Sequence, residues 1–224
     1  MLRRMSTAIE SSTLQFLADL RQHNQREWFQ QHKARYEQAR DNFVQVLREL
    51  IDGLAQLDPA LHGLSPSACV FRIYRDIRFS PNKMPYKWHM GAYITPQGKN
   101  SPLAGFYLHV EPGSSMFLGG IYMAPARTMQ SIREDISYYQ ADFMRIMEPL
   151  AQLPCLEPNS LVRTPRGFEP GSPVDGYLRM RNICPTLSLT DAQVCSPKLL
   201  ERLLAMAAQL HPLNEFINRA IANS

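Results

Sequence analysis

The stretch Phe71-Arg72-Ile73-Tyr74-Arg75-Asp76-Ile77-Arg78-Phe79 decides how the chain is read. Phe71, Ile73, Ile77 and Phe79 alternate with Arg72, Tyr74, Asp76 and Arg78. A period of two is the mark of a β-strand with one apolar and one polar face. Arg75 breaks the pattern, because it falls on the apolar side between Ile73 and Ile77. A buried, unpaired guanidinium costs several kcal/mol, so either a carboxylate meets it or a bulge turns it outward. Ser80-Pro81-Asn82 then reads as a turn, carrying the chain to Lys83 and Lys87.

Moving outward, the same period recurs in Phe106, Leu108 and Val110 against Tyr107, His109 and Glu111. Glu111-Pro112-Gly113-Ser114 has proline and glycine in the order of a type II turn, so Met116 to Met123 should return as the partner strand. Tyr93-Ile94 belongs to a further strand ended by Thr95-Pro96-Gln97-Gly98. On the N-terminal side, Ser12 with Gln15 and Asn24 with Glu27 have capping-box spacing. Trp28, Tyr36, Ala39, Phe43, Val46, Leu47, Leu50 and Leu54 form one helical stripe. On the C-terminal side, Met129, Ile132, Ile136, Tyr139, Phe143, Ile146 and Leu150 predict a long core helix over about 126–150. Residues 151–189 read as loops with short strands, one at Leu161-Val162-Arg163. Ser196-Pro197 opens a helix through Leu203 and Ala207, which Pro212 should break or kink.

Helices, then strands, then helices predict an α+β fold: a mostly antiparallel sheet packed with N-terminal and C-terminal helices. No repeat or long linker interrupts it, so residues 13–224 read as a single globular domain behind a flexible tail, 1–12. No apolar run is long enough to span a membrane, and the start lacks an apolar signal region. Cys69, Cys155, Cys184 and Cys195 are scattered, with no Cys-x-x-Cys pair. They fit reduced thiols in a cytoplasmic protein better than a zinc ribbon or disulfide framework.

The formal net charge of +4 lies wholly in residues 72–87, where five cations stand against Asp76. A nucleic-acid surface usually spreads its cations over a face, whereas one concentrated patch suits a small anion. Arg72, Arg75, Arg78, Lys83, Tyr86 and Lys87 are therefore the ligand-binding candidates for a phosphate or carboxylate. Asp76, His109 and Glu111 are the acid/base candidates, because His109 and Glu111 share one strand face. With His89 as a third ligand, His109 and Glu111 could instead hold a metal. No helical His-x-x-x-His or cysteine pair supports this, so no metal and no cofactor is assigned, and a structural hydrogen bond is the plainer role for His109.

At these residues the chain resembles a known family. The run Arg72-x-x-Arg75-Asp76-x-Arg78-Phe79 with Asn82-Lys83-x-x-Tyr86 is similar to the signature of the bacterial domain of unknown function 2461. Asn24-x-Arg26-Glu27-Trp28-Phe29, Pro85-Tyr86-Lys87-x-His89-x-Gly91-Ala92, Leu108-His109-Val110-Glu111-Pro112-Gly113, Gly119-Gly120-Ile121-Tyr122 and Arg166-Gly167-Phe168 follow in the expected order. The resemblance covers about residues 13–222. It implies one domain of this length and no particular activity.

Three functions remain open from sequence. The first is binding of a small anionic ligand, with or without catalysis. The second is a nucleic-acid or protein interaction module using the 72–87 segment, with Tyr74, Tyr86 and Trp88 as contacts. The third is a structural role, in which the arginines pair with Glu27, Glu37 or Glu111 and lock helices to the sheet. The sequence assigns no oligomeric state.

Overall fold

The helical stripes build three N-terminal helices in the computed structural model, which describes residues 8–156 and 160–223. These are α1 (Ser11–Gln22), α2 (Arg26–Gln31) and α3 (Lys33–Leu54), followed by one short turn of helix, α4 (Pro66–Cys69). Strands β1 (Met90–Ile94), β2 (Gly105–Val110) and β3 (Ser115–Gly120) come next. Helices α5 (Ala126–Tyr138), α6 (Gln140–Met147) and α7 (Asp175–Leu178) precede β4 (Thr186–Leu189). Helices α8 (Asp191–Val194) and α9 (Leu199–Ala222) end the chain. The strands form one antiparallel sheet in the order β1-β2-β3-β4, so the fold is α+β, as the periodicity predicts.

The expected hairpin forms between β2 and β3. The Ser114 N–H donates to the Glu111 carbonyl at 3.0 Å, and Gly113 takes φ 75°, the positive value that the third position of a type II turn demands. Other expectations are corrected. Helix α1 starts at Ser11, with Glu10 at its N-cap and no side-chain cap. Asn24 caps nothing either: its amide pairs with both backbone groups of Tyr86, at 3.0 and 3.1 Å. The long helix over 126–150 is broken at Tyr139, whose φ of −106° and ψ of 43° leave the helical region, although Met129, Ile132, Ile136, Phe143 and Leu150 are still buried. Pro212 lies inside α9 without ending it. A proline costs about 3 kcal/mol in a helix interior, and burial of Leu210, Leu213, Phe216 and Ile217 along α9 offsets this. Near Leu161 there is only an isolated bridge, Ser160 to Met180, and Val162 is exposed.

The largest correction concerns residues 71–79, which are not a regular strand. Two isolated bridges, Val70 to Ala92 and Tyr74 to Tyr86, tie this segment to the returning chain. Between them three residues, 71–73, face five, 87–91. A surplus of this kind is a bulge, which bends the chain and re-aims side chains. Ile73 is buried as expected, but Phe71 is 36% and Phe79 93% exposed. Pro81 and Pro85 have no N–H to give a ladder, so beyond Arg75 the segment is an open loop.

The chain divides into two compact units. The first comprises residues up to 100, 107–117 and 188–205. Phe16, Leu17, Leu20, Phe29, Phe43, Leu47, Leu50 and Leu54 fill its core. The second comprises 101–106, 118–187 and 206–224, with Phe106, Ile132, Ile136, Phe143, Leu213 and Ile217 buried. Of the stretch read as a tail, residues 1–7 lie outside the described residues. Ile9 is buried, and its N–H donates to the Val194 carbonyl at 3.1 Å.

Candidate functional site

The basic segment divides its side chains among three places. At the loop tip, Arg78 makes a bidentate pair with Asp76 at 2.7 and 3.0 Å, and both are exposed. This pair holds Asp76 below the usual carboxylate range. Lys83 donates to the Ile77 carbonyl at 3.0 Å, and the Asn82 side chain accepts from the Met84 N–H. These residues fold the loop on itself.

Arg75 and Tyr86 go elsewhere. They line a recess of about 300 Å³ with Arg26, Gln30, Tyr74, Ile77 and Pro85. Arg75 is half-exposed and donates to the Met84 carbonyl at 3.2 Å, so the carboxylate that a buried Arg75 would need is replaced by a backbone oxygen. Tyr86 is buried. Its ring stacks on Phe29, 4.1 Å between centroids at 13°, and Asn24 grips its backbone from the loop before α2. Among the described residues, Arg72, Arg75 and Arg78 form no ion pair with Glu27, Glu37 or Glu111. Glu37 pairs with Lys33, and Glu111 with two histidines. The expected lock of helices to sheet is therefore corrected: the motif's one ion pair among the described residues is Asp76–Arg78, local to the loop.

Lys87 and Arg72 form the third place. Lys87 is half-buried, with Nζ 5.5 Å from the Phe71 ring centre. Burial first, and then the Arg72 charge, hold it below the ordinary lysine range.

Beyond Lys87 the bulge delivers Trp88 and His89 to the polar face of β2. Trp88 Nε1 donates to Glu111 Oε1 at 2.9 Å. His109 Nε2 lies 3.0 Å from Glu111 Oε2, and His109 Nδ1 lies 3.0 Å from the Tyr107 hydroxyl. With Glu111 a carboxylate, Nε2–H donates to it, and Nδ1 accepts from Tyr107. His89 Nδ1 is 3.7 Å from the same Oε2, and its ring lies 4.3 Å from that of His109. Alternation along β2 puts Tyr107, His109 and Glu111 on one face, and Gly91 leaves room for the phenol. A Cβ at Gly91 would sit 2.6 Å from the Tyr107 oxygen.

Burial pushes Tyr107 up to about 12. Burial also lowers His109, against the pull of Glu111. His89 falls to about 4, chiefly through burial and then the neighbouring His109. His89 thus binds a proton less readily folded than unfolded, so stability holds above about pH 6.5 and is lost as pH falls toward about 4. The expected loss is roughly 2–3 kcal/mol. Urea melts between pH 7 and pH 4, with EDTA to keep stray cations off the imidazoles, should show this slope. His89→Gln should flatten it, and an unchanged slope in that variant would refute the assignment.

A second groove, of about 680 Å³, lies in the second unit along α6 and α9. Its cations are already matched, Arg145 with Asp142 at 3.0 Å and Arg219 with Asp135 at 3.5 Å. No His or Cys lines it. It is the poorer candidate for chemistry.

A family model described as a conserved hypothetical protein, DUF2461, matches residues 12–216. The chain belongs to this family. No curated protein and no solved structure matches it. In this DUF2461 chain the Arg-x-x-Arg-Asp-x-Arg signature divides, Arg75 going to the recess and Asp76 with Arg78 to the loop tip. Of the acid/base candidates, His109 and Glu111 come together, while Asp76 stays at the tip. Sequence reasoning missed Arg26 and Gln30 as site residues, and it named Trp88 only as a contact of an interaction surface, not as a partner of Glu111. Arg26 and Trp88 stand inside the motifs of the family resemblance, but nothing in their spacing brings them toward Arg75 or Glu111. The four cysteines are free. Among the described residues no helix is long and apolar enough to cross a membrane.

Proposed function

We propose that this DUF2461 protein binds a small anion, a phosphate or carboxylate, in the recess between Arg26 and Arg75. One observation carries the reading. The recess presents two guanidinium groups, and among the described residues neither has a carboxylate partner. Tyr74 and Tyr86 form aromatic walls beside them, and Gln30 adds an amide. Guanidinium forks match the two oxygens of a carboxylate or phosphate, and walls on several sides reduce the water that would screen the charge. The loop tip supports this less well, because Asp76 already occupies Arg78. The recess holds neither His109 nor Glu111, so the geometry favours binding over catalysis at this place.

Calorimetric titration with inorganic phosphate, pyrophosphate and citrate at low salt tests the reading. A charge-assisted hydrogen bond contributes about 1.5–3 kcal/mol. Arg26→Ala and Arg75→Ala should therefore each weaken binding of the preferred anion by about 10-fold to 100-fold. Heats that are absent for all three anions, or unchanged in both variants, would refute it.

A further inference from the structure

We propose that His89, His109 and Glu111 hold a divalent first-row transition-metal ion, such as zinc, through His89 Nδ1, His109 Nε2 and Glu111 Oε2. The inference is independent of the anion recess.

The donor atoms are spaced for a metal. One donor atom from each residue lies within 4.8 Å of the other two. Bonds of about 2.0–2.2 Å in tetrahedral geometry place neighbouring donors at a separation of about 3.3–3.6 Å. The Glu111 oxygen lies 3.0 Å from His109 and 3.7 Å from His89, on either side of that range. A small shift of the bulged segment carrying His89 closes the triangle. The donor set, two imidazoles and a carboxylate, suits zinc and its neighbours rather than magnesium or calcium.

Outer partners support the donors from behind. Metal-binding histidines and carboxylates are usually oriented by outer partners. Here the Tyr107 hydroxyl sits on the far nitrogen of His109, and Trp88 Nε1–H holds the far oxygen of Glu111. The Glu111 backbone is fixed as well, because the Ser115 hydroxyl bonds both its N–H and its carbonyl, at 3.1 and 2.9 Å. When a metal takes His109 Nε2, the ring proton moves to Nδ1 and donates to the Tyr107 oxygen. The Tyr107 hydroxyl hydrogen, no longer directed at Nδ1, turns away, while the Trp88 and Ser115 bonds to Glu111 stay as they are. A plain structural hydrogen bond would account for His109 alone, but not for a second imidazole aimed at the same oxygen.

The donor set is also incomplete on one side. Three protein donors leave a coordination position free, as in catalytic rather than structural zinc sites. The Lys87 charge near His89 disfavours a bare cation there. It favours an ion that carries hydroxide or another anion as its fourth ligand.

The test uses the full chain, stripped with chelator and titrated with cobalt(II) and zinc. Cobalt should bind one per chain and give the intense visible absorption of a low-coordinate site, and zinc should displace it. His89→Ala and Glu111→Gln should weaken zinc at least about 100-fold, and Tyr107→Phe about 10-fold. Arg75→Ala should leave zinc affinity unchanged, which separates this proposal from the anion reading. His89 is only partly buried, so its variant should fold, and a circular dichroism spectrum checks this. An octahedral cobalt spectrum in the wild type, or zinc affinity unmoved by His89→Ala in folded protein, overturns the proposal.

Discussion

Gly120→Ala is expected to destabilise the protein by more than about 4 kcal/mol. Gly120 has φ 109°, in the region where an L side chain collides with its own backbone. An added Cβ would also run into the Ile183 carbonyl oxygen. That oxygen is no flexible side-chain end. It accepts the Ile121 N–H at 3.0 Å, and the Ile183 N–H returns to the Ile121 carbonyl at 3.1 Å. The Gly120 N–H itself donates to Asn214 Oδ1 at 2.7 Å, within the second unit. Backbone strain of about 1–2 kcal/mol adds to the loss of bridge and anchor bonds at about 1 kcal/mol each. A total above about 4 kcal/mol is among the largest single-substitution effects, set against a typical stability of about 5–15 kcal/mol. Gly113→Ala is the control. It too has positive φ, but a Cβ there meets nothing within 4 Å, so its cost should stay near 1 kcal/mol. Urea melts of the two variants should differ widely. Equal midpoints would show that the Gly120 approach is not tight.

Phe29→Ala should have the next largest effect, and it links the core to the recess. Phe29 is fully buried in α2. Its ring stacks on Tyr86 at 4.1 Å and lies 5.1, 6.1 and 6.5 Å from those of Tyr36, Tyr74 and Phe16. Removing a buried phenylalanine costs about 3–5 kcal/mol, a loss that already includes its aromatic pairs. Tyr74 and Tyr86 are also walls of the recess. The variant should therefore lose anion affinity even when measured well below its melting temperature. Leu47→Ala, at another fully buried position, should lose comparable stability and keep anion affinity in the folded fraction. If both variants keep full affinity, the aromatic stack supports the core but not the recess.

What the sequence made legible follows from how local each signal is. The β2–β3 hairpin was readable because alternation and the Pro112-Gly113 turn lie within one short stretch. The α3 stripe was readable for the same reason. Residues 71–79 alternate just as well, yet they form no strand. Their partner, 85–92, carries two surplus residues and opens with Pro85, and alternation in one segment reports nothing of its partner. Arg75 shows this most clearly. Its parity placed it on an apolar face, and the loop beyond Tyr74 turned it to a half-exposed recess with a backbone acceptor. The break at Tyr139 left the apolar stripe intact and so gave no periodic signal. Tyr107, His109 and Glu111 were placed on one face by alternation, whereas Trp88 arrives there only through the bulge. Arg26 meets Arg75 across 49 residues of chain, a distance over which spacing carries no information.

The proposed function divides the basic segment, with Arg75 serving a ligand and Arg78 serving its own loop. The most direct test is calorimetric titration of the preferred anion into Arg75→Ala and Arg78→Ala side by side. Arg75→Ala should lose at least about 10-fold in affinity, and Arg78→Ala should bind as the wild type does. Equal losses in the two variants, or a loss confined to Arg78→Ala, would contradict the account.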